Sequence, residues 1–247
     1  MQEQEHSMKS GKDYIVFPLD FPSFREAERY VRLLSDRVGM FKIGLELFIR
    51  EGPQVIRKTR QLSDAGIFLD LKLHDISETV RRAVLQAAEC KADLLTVHCA
   101  SSKRMLEVAA EAGRGRVGIL GVTLLTDNDA QTVRESGFAE TFCRDPGTLV
   151  MKRAEMAYNA SCAGVVCSGN EVWAIKEAFG KNFMAVTPGI RPAGETGDED
   201  DQKRICTPGK AVALGADLIV VGRPVRDAPD PAESARAIAA EIDDGLS

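Results

Sequence analysis

Short β-branched runs alternate with longer amphipathic stretches along the whole chain, and few folds accommodate that order. The predicted strands are Tyr14–Leu19, Met40–Ile43, Ile67–Leu71, Leu94–Val97, Val117–Val122, Gly164–Cys167, Met184–Val186 and Leu218–Val221. Between the first two, Phe24, Ala27, Tyr30 or Val31, Leu34 and Val38 recur at helical spacing, with Arg25, Glu26, Glu28 and Arg32 on the opposite face. The last amphipathic stretch, Pro231–Ile242, opens on a proline suited to a first helical turn and sets Ala235, Ile238, Ala239 and Ile242 on one side. Runs such as Leu218–Val221 (LIVV) read as buried on both faces, as a helix-covered parallel sheet requires. Eight strand–helix units in ~235 residues suit a closed (β/α)8 TIM barrel, a single α/β domain. An open doubly wound sheet is the alternative.

No linker or shift of composition divides the chain, so residues 13–247 are expected to form one barrel domain behind a flexible tail, residues 1–12. Thirty-two Lys+Arg against 37 Asp+Glu leave a formal charge of −5, which gives no general attraction to nucleic acid or anionic membranes. Any anionic ligand must then be held by a few local groups. No apolar run approaches the ~20 residues that span a bilayer. The polar start MQEQEHSMKSGK does not read as a signal-peptide core, and a cytoplasmic location is expected. Six cysteines (Cys90, Cys99, Cys143, Cys162, Cys167, Cys206) include no CxxC pair and are expected to be reduced and buried. His6, His74 and His98 form no metal-ligand cluster; only carboxylates remote in sequence could assemble a metal site.

A literal GxGxxG, Gly113–Gly118, has a helix before it and a strand after it, the reverse of a dinucleotide fingerprint, and reads as a helix cap and turn. The sequon Asn159-Ala160-Ser161 carries no meaning without an export signal. The informative stretch is FLDLKLHDISET. Asp70 and Lys72, two apart, point to one side of a strand, and Asp75 adds a carboxylate three residues on. An exposed ion pair is the ordinary explanation of such spacing, but Phe68, Leu69, Leu71 and Leu73 make these surroundings apolar. Charges there must satisfy one another. Asp20, Lys42, Thr126, Arg191 and the pair Gly222-Arg223 stand at matching strand ends. In a barrel these residues share the C-terminal mouth, with cations for a phosphate and carboxylates for sugar hydroxyls. The Gly222 and Arg223 amides could assist at the phosphate. His98 is a catalytic suspect or a satisfied core histidine, and His74 is given no chemistry. Two connections are long: Asp127 to about Pro146, with room for a short helix, and Pro188–Thr207, which carries a DEDD run. The second follows the seventh strand, where barrel enzymes keep phosphate-binding groups and lids.

Together FKIG (Phe41–Gly44), FLDLKLHDI (Phe68–Ile76), VTLLT (Val122–Thr126), VTPGIRP (Val186–Pro192), DQKRI (Asp201–Ile205) and VGRP (Val221–Pro224) closely resemble the orotidine 5′-phosphate decarboxylase family. The resemblance implies conversion of orotidine 5′-monophosphate to UMP and carbon dioxide in pyrimidine synthesis, by a homodimeric barrel with no metal or organic cofactor. It implies Lys72 as proton donor, Asp70 beside the leaving carboxylate, and Lys42 and Asp20 holding the ribose and the charge network. Asp75 and Thr79 would cross the dimer interface into the neighbouring site. Thr126 would bond the pyrimidine, Gln202 would bridge base and phosphate, and Arg191, Arg223 and the Gly222 backbone would hold the phosphate. The acidic GETGDED stretch before Gln202 leaves only the lid's length open. The rival readings are a metal-dependent sugar-phosphate decarboxylase or synthase with the same DxKxxD pattern, and a catalytically silent nucleotide-binding barrel.

Overall fold

The structure is a computed structural model that describes residues 9–192 and 206–246. Its strands are β1 (Ile15–Pro18), β2 (Met40–Ile43), β3 (Gly66–Leu73), β4 (Leu94–His98), β5 (Gly118–Val122), β6 (Gly164–Val166), β7 (Met184–Thr187) and β8 (Leu218–Val220). All pair in parallel with their sequence neighbours, and Ile15 opposite Ile219 closes β8 onto β1. The expected (β/α)8 barrel is therefore the observed one. The helices of the first half are α1 (Phe24–Leu34), α2 (Leu45–Glu51), α3 (Gln54–Arg60), α4 (Ser77–Glu89) and α5 (Lys103–Gly113). Those of the second half are α6 (Ala130–Glu135), α7 (Glu140–Arg144), α8 (Pro146–Asn159), α9 (Val172–Phe179), α10 (Pro208–Ala213), α11 (Arg223–Arg226) and α12 (Pro231–Leu246). Among the described residues no helix is long and apolar enough to cross a membrane.

The two-residue period of each strand sorts its side chains into two cores. Ile15, Phe17, Phe41, Ile67, Leu69, Leu95, Ile119, Val165, Ala185 and Ile219 face the helices. The intervening Val16, Met40, Phe68, Leu94, Leu120, Val186 and Leu218 pack on one another inside the barrel. Each large side chain fully buried in this way contributes roughly 1.5–3 kcal/mol. Helix α1 buries Phe24, Ala27, Tyr30, Val31 and Leu34, the predicted stripe, and Ser23 caps it by accepting from the Glu26 amide.

The structure adds detail at the ends. Strand β3 runs two residues beyond the predicted Leu71. The long connection after β5 holds two short helices, α6 and α7, where one was expected. Of residues 1–12, the first eight lie outside the described residues. Gly11 and Lys12 already belong to a 3-10 turn, Gly11–Tyr14, packed on α12. The Gly11 amide donates to Asp243 Oδ1 at 2.7 Å, and a Cβ on Gly11 would stand 2.0 Å from the Ala239 carbonyl oxygen. All six cysteines are free; five are buried and Cys90 is partly so.

Candidate active site

Inside the barrel the apolar layer gives way to polar groups one inward step further along the strands. Lys42 stands two residues beyond Met40, Asp70 two beyond Phe68, Thr96 two beyond Leu94 and Gly222 two beyond Val220. Lys42 Nζ lies 3.1 Å from Asp20 Oδ1 and 3.6 Å from Asp70 Oδ2. Lys72 Nζ donates to the same Asp70 Oδ2 at 2.9 Å, and Thr96 Oγ1 donates to Asp70 Oδ1 at 2.9 Å. One buried carboxylate thus lies between two ammonium groups. Burial works against its charged form, yet Lys42, Lys72 and the hydrogen bonds from Lys72 and Thr96 outweigh it and hold Asp70 below the usual carboxylate range. Gly44 leaves space for this network, since a Cβ there would meet Asp20 Oδ1 at 3.0 Å and Lys42 Nζ at 3.2 Å.

Lys72 reaches Asp70 by a route that strand alternation does not describe. The pairing of β3 with β4 shifts between Leu69 and Leu73, and Lys72 sits in this irregularity with φ 49°. The left-handed conformation is costly for a side chain with a Cβ and persists only where its surroundings enforce it. Here the enforcing group is Thr96, whose Oγ1 accepts from the Lys72 amide at 2.8 Å. The same hydroxyl therefore fixes the backbone of Lys72 and the carboxylate of Asp70.

These groups open into a cavity of about 610 Å³ at the C-terminal end of the barrel. Asp20, Lys42, Asp70, Lys72, Thr126, Arg191, Gly222 and Arg223 all line it, together with Leu124, Leu125, Val166 and Pro188. The cavity is thus partly apolar, with a cationic part carried by Arg191 and Arg223. Arg191 is buried, and its guanidinium donates to the Ile190 carbonyl at 2.9 Å. A bridge between Ile190 and Cys206 ties together the two ends of the β7–α10 connection. Gly189, at φ 79°, makes the turn into it.

Asp75 and Thr79 do not join the cavity; both are exposed beside it, with Asp75 Oδ1 accepting from the Ile76 amide. Gln202 lies outside the described residues. His98 is half-buried and outside the cavity lining, its ring 5.4 Å from that of His74. Burial first, then Arg153, His74 and Lys72, push it down to about 4, so it is neutral at neutral pH. Sequence reasoning passed over Thr96 and Arg226. A single threonine in LLTVH carries no signal until the register with β3 is known. Arg226 lines the cavity and pairs with Asp227 at 2.7 and 2.9 Å. Among the described residues no three His, Cys, Asp or Glu side chains gather as a metal-binding group.

A profile of the family described as "Orotidine 5′-phosphate decarboxylase / HUMPS family" matches residues 13–238. The orotidine 5′-phosphate decarboxylase of Desulfosudis oleivorans is 51% identical over 242 residues, covering 96% of this chain and 96% of that one. The enzyme of the same name from Anaeromyxobacter sp. (strain K) is 47% identical, over 92% of this chain and 97% of that one. The crystal structure of orotidine 5′-phosphate decarboxylase from Lactobacillus acidophilus superposes with a TM-score of 0.79 at 31% identity, covering 92% and 98% of the two chains.

Proposed function

The chain belongs to the orotidine 5′-phosphate decarboxylase / HUMPS family, and we infer that it is a carboxy-lyase converting orotidine 5′-monophosphate to UMP and carbon dioxide in pyrimidine biosynthesis. The observation that carries this reading is the Lys42–Asp70–Lys72 chain inside a cavity whose other cations suit a phosphate.

Loss of carbon dioxide leaves an electron pair on a ring carbon. The Lys72 ammonium beneath that carbon stabilises the developing charge and then delivers its proton there. Asp70 holds the amine in place and faces the departing carboxylate. Two like charges ~4 Å apart cost about 4 kcal/mol at an effective dielectric of 20, a stress relieved as neutral carbon dioxide leaves. The larger share of the effect is assigned to the carbanion–ammonium pair. Lys42 and Asp20 hold the ribose, and Thr126 bonds the pyrimidine. Arg191, Arg223 and the Gly222 amide hold the phosphate, and Gln202 bridges phosphate and base. Charge-assisted hydrogen bonds at the phosphate, roughly 1.5–3 kcal/mol each, offset the cost of placing the substrate carboxylate beside Asp70.

A second copy of the chain completes the site in this reading. Ile76, between Asp75 and Thr79, is 73% exposed, and Ile49 on α2, after the adjacent strand β2, is 79% exposed. Both side chains suit burial against a partner, and in this reading Asp75 and Thr79 serve the partner's cavity. The enzyme acts in the cytoplasm, where pyrimidine nucleotides are made. Release of carbon dioxide from orotidine 5′-monophosphate by the purified protein in excess chelator tests the activity. Wild-type turnover should be unaffected by the chelator. Lys72→Ala should lose on the order of 10³-fold or more, as removal of a proton donor and charge partner requires. Chelator-sensitive turnover would favour the metal-dependent rival.

A further inference from the structure

Arg153 takes no part in the chemistry described above. It rises from α8 with its side chain buried, and among the described residues no carboxylate pairs with it. Its NH1 donates instead to the carbonyl of Thr123 at 2.5 Å, and its Cζ stands 5.2 Å from the ring centroid of Phe138. A buried cation without a counter-charge is a poor source of stability, and an apolar side chain of similar volume would serve the packing as well or better. The contacts themselves indicate the use. Thr123 is the first residue beyond β5, and its amide and hydroxyl both donate to the Val166 carbonyl, at 3.2 and 2.7 Å. Arg153 engages its carbonyl, so the residue is held through every polar group it has. The chain then continues through Leu124, Leu125 and Thr126, all lining the cavity. Phe138 lies between α6 and α7, in the excursion that follows this stretch.

We propose that Arg153 is a positioning residue for the base-contacting wall of the cavity, pinning the carbonyl of Thr123 and the ring of Phe138 so that Leu124–Thr126 is preformed for a pyrimidine. This rests on the nucleotide reading given above, and the test separates the two. Binding of UMP and of ribose 5-phosphate, which lacks the base, is measured by calorimetry for the wild type, Arg153→Met and Arg153→Lys. In Arg153→Met, UMP should bind roughly tenfold more weakly, because small misplacements of a site wall are costly. Ribose 5-phosphate should bind unchanged, even where the melting temperature falls because the Thr123 carbonyl has lost its donor. Arg153→Lys, which keeps a donor, should recover part of the loss. Unchanged UMP affinity in folded Arg153→Met, or an equal loss for both ligands, would overturn the proposal. Should Arg153→Met fail to fold, Arg153→Lys and Phe138→Leu read the same difference, and no loss confined to UMP in either would overturn it. If the wild type binds UMP no better than ribose 5-phosphate, the nucleotide reading falls and this proposal with it.

Discussion

Thr96 shows how much of a site one uncharged residue can hold. Its hydroxyl accepts from the Lys72 amide and donates to Asp70, so it supports both a left-handed backbone and a buried carboxylate. Thr96→Val keeps the shape and removes both bonds. Leaving those groups unsatisfied should cost about 1–3 kcal/mol of stability by denaturant titration. Turnover should fall as well, because Lys72 is no longer held against Asp70. Thr96→Ser should retain most of both, and a valine variant as active as the wild type would contradict the arrangement. The DxK spacing was readable as a pair of charges meant to meet, but alternation is not what brings them together: the irregularity in β3 and the hydroxyl that holds it involve another strand and could not be read. His98 offers a pH test at the same scale. Its folded value of about 4 lies below the ordinary 6.5, through burial first and nearby cations second. Between those pH values the unfolded chain binds a proton there and the native chain does not, so stability falls as pH drops through that window. His98→Gln should lose less stability than the wild type between pH 6.5 and 4; parallel losses would show that the ring is not held neutral by the fold.

At the N-terminal end of the barrel, one device occurs twice. Asp93, just before β4, accepts from the Ile67 amide of β3 at 2.6 Å and pairs with Arg60 of α3 at 2.6 Å. Asp217, just before β8, accepts from the Ala185 amide of β7 at 2.7 Å and pairs with Lys176 of α9 at 2.6 Å. In each case a carboxylate fastens a strand to the preceding one and to the helix that leads into it. The surroundings differ. Lys176 is nearly buried, with 11% of its side chain exposed, whereas Arg60 and Asp93 are substantially exposed at 30% and 48%. Asp217→Ala should therefore cost about 2–4 kcal/mol, since it removes the acceptor of the Ala185 amide and the only counter-charge that the described residues give a nearly buried ammonium, leaving Lys176 to the Lys181 and Phe183 carbonyls. Asp93→Ala should cost roughly 1 kcal/mol. The two losses should add in the double variant, because the pairs share no partner. Urea titration of the three variants checks this, and equal single losses would contradict the burial argument. The alternation that places these strands was legible because a buried parallel strand must be apolar on both faces. The irregularity in β3 was not, since FLDLKL has the composition of an unbroken strand.

For the whole molecule, closure of the barrel turns residues scattered from Asp20 to Arg223 into one mouth, and strand-end position sufficed to identify most of them. Asp75 and Thr79 are the exception that carries information. Asp75 lies just past β3 and Thr79 in the first turn of α4, yet both are exposed, like Ile76 between them, and do not line the cavity of their own barrel. If they serve the neighbouring barrel, two dead variants can repair one another. Lys72→Ala destroys the site in its own subunit, while Asp75→Ala destroys the site in its partner. In a mixed dimer both defects fall on one site and the other is intact. Random exchange makes half the dimers mixed, each with one working site of two, so activity should recover to about a quarter of wild type in a symmetric dimer. Each variant alone should stay inactive, and recovery should track the rate of subunit exchange followed with differently tagged chains. Complete exchange with no recovery would place Asp75 outside the partner's chemistry and leave each barrel to work alone.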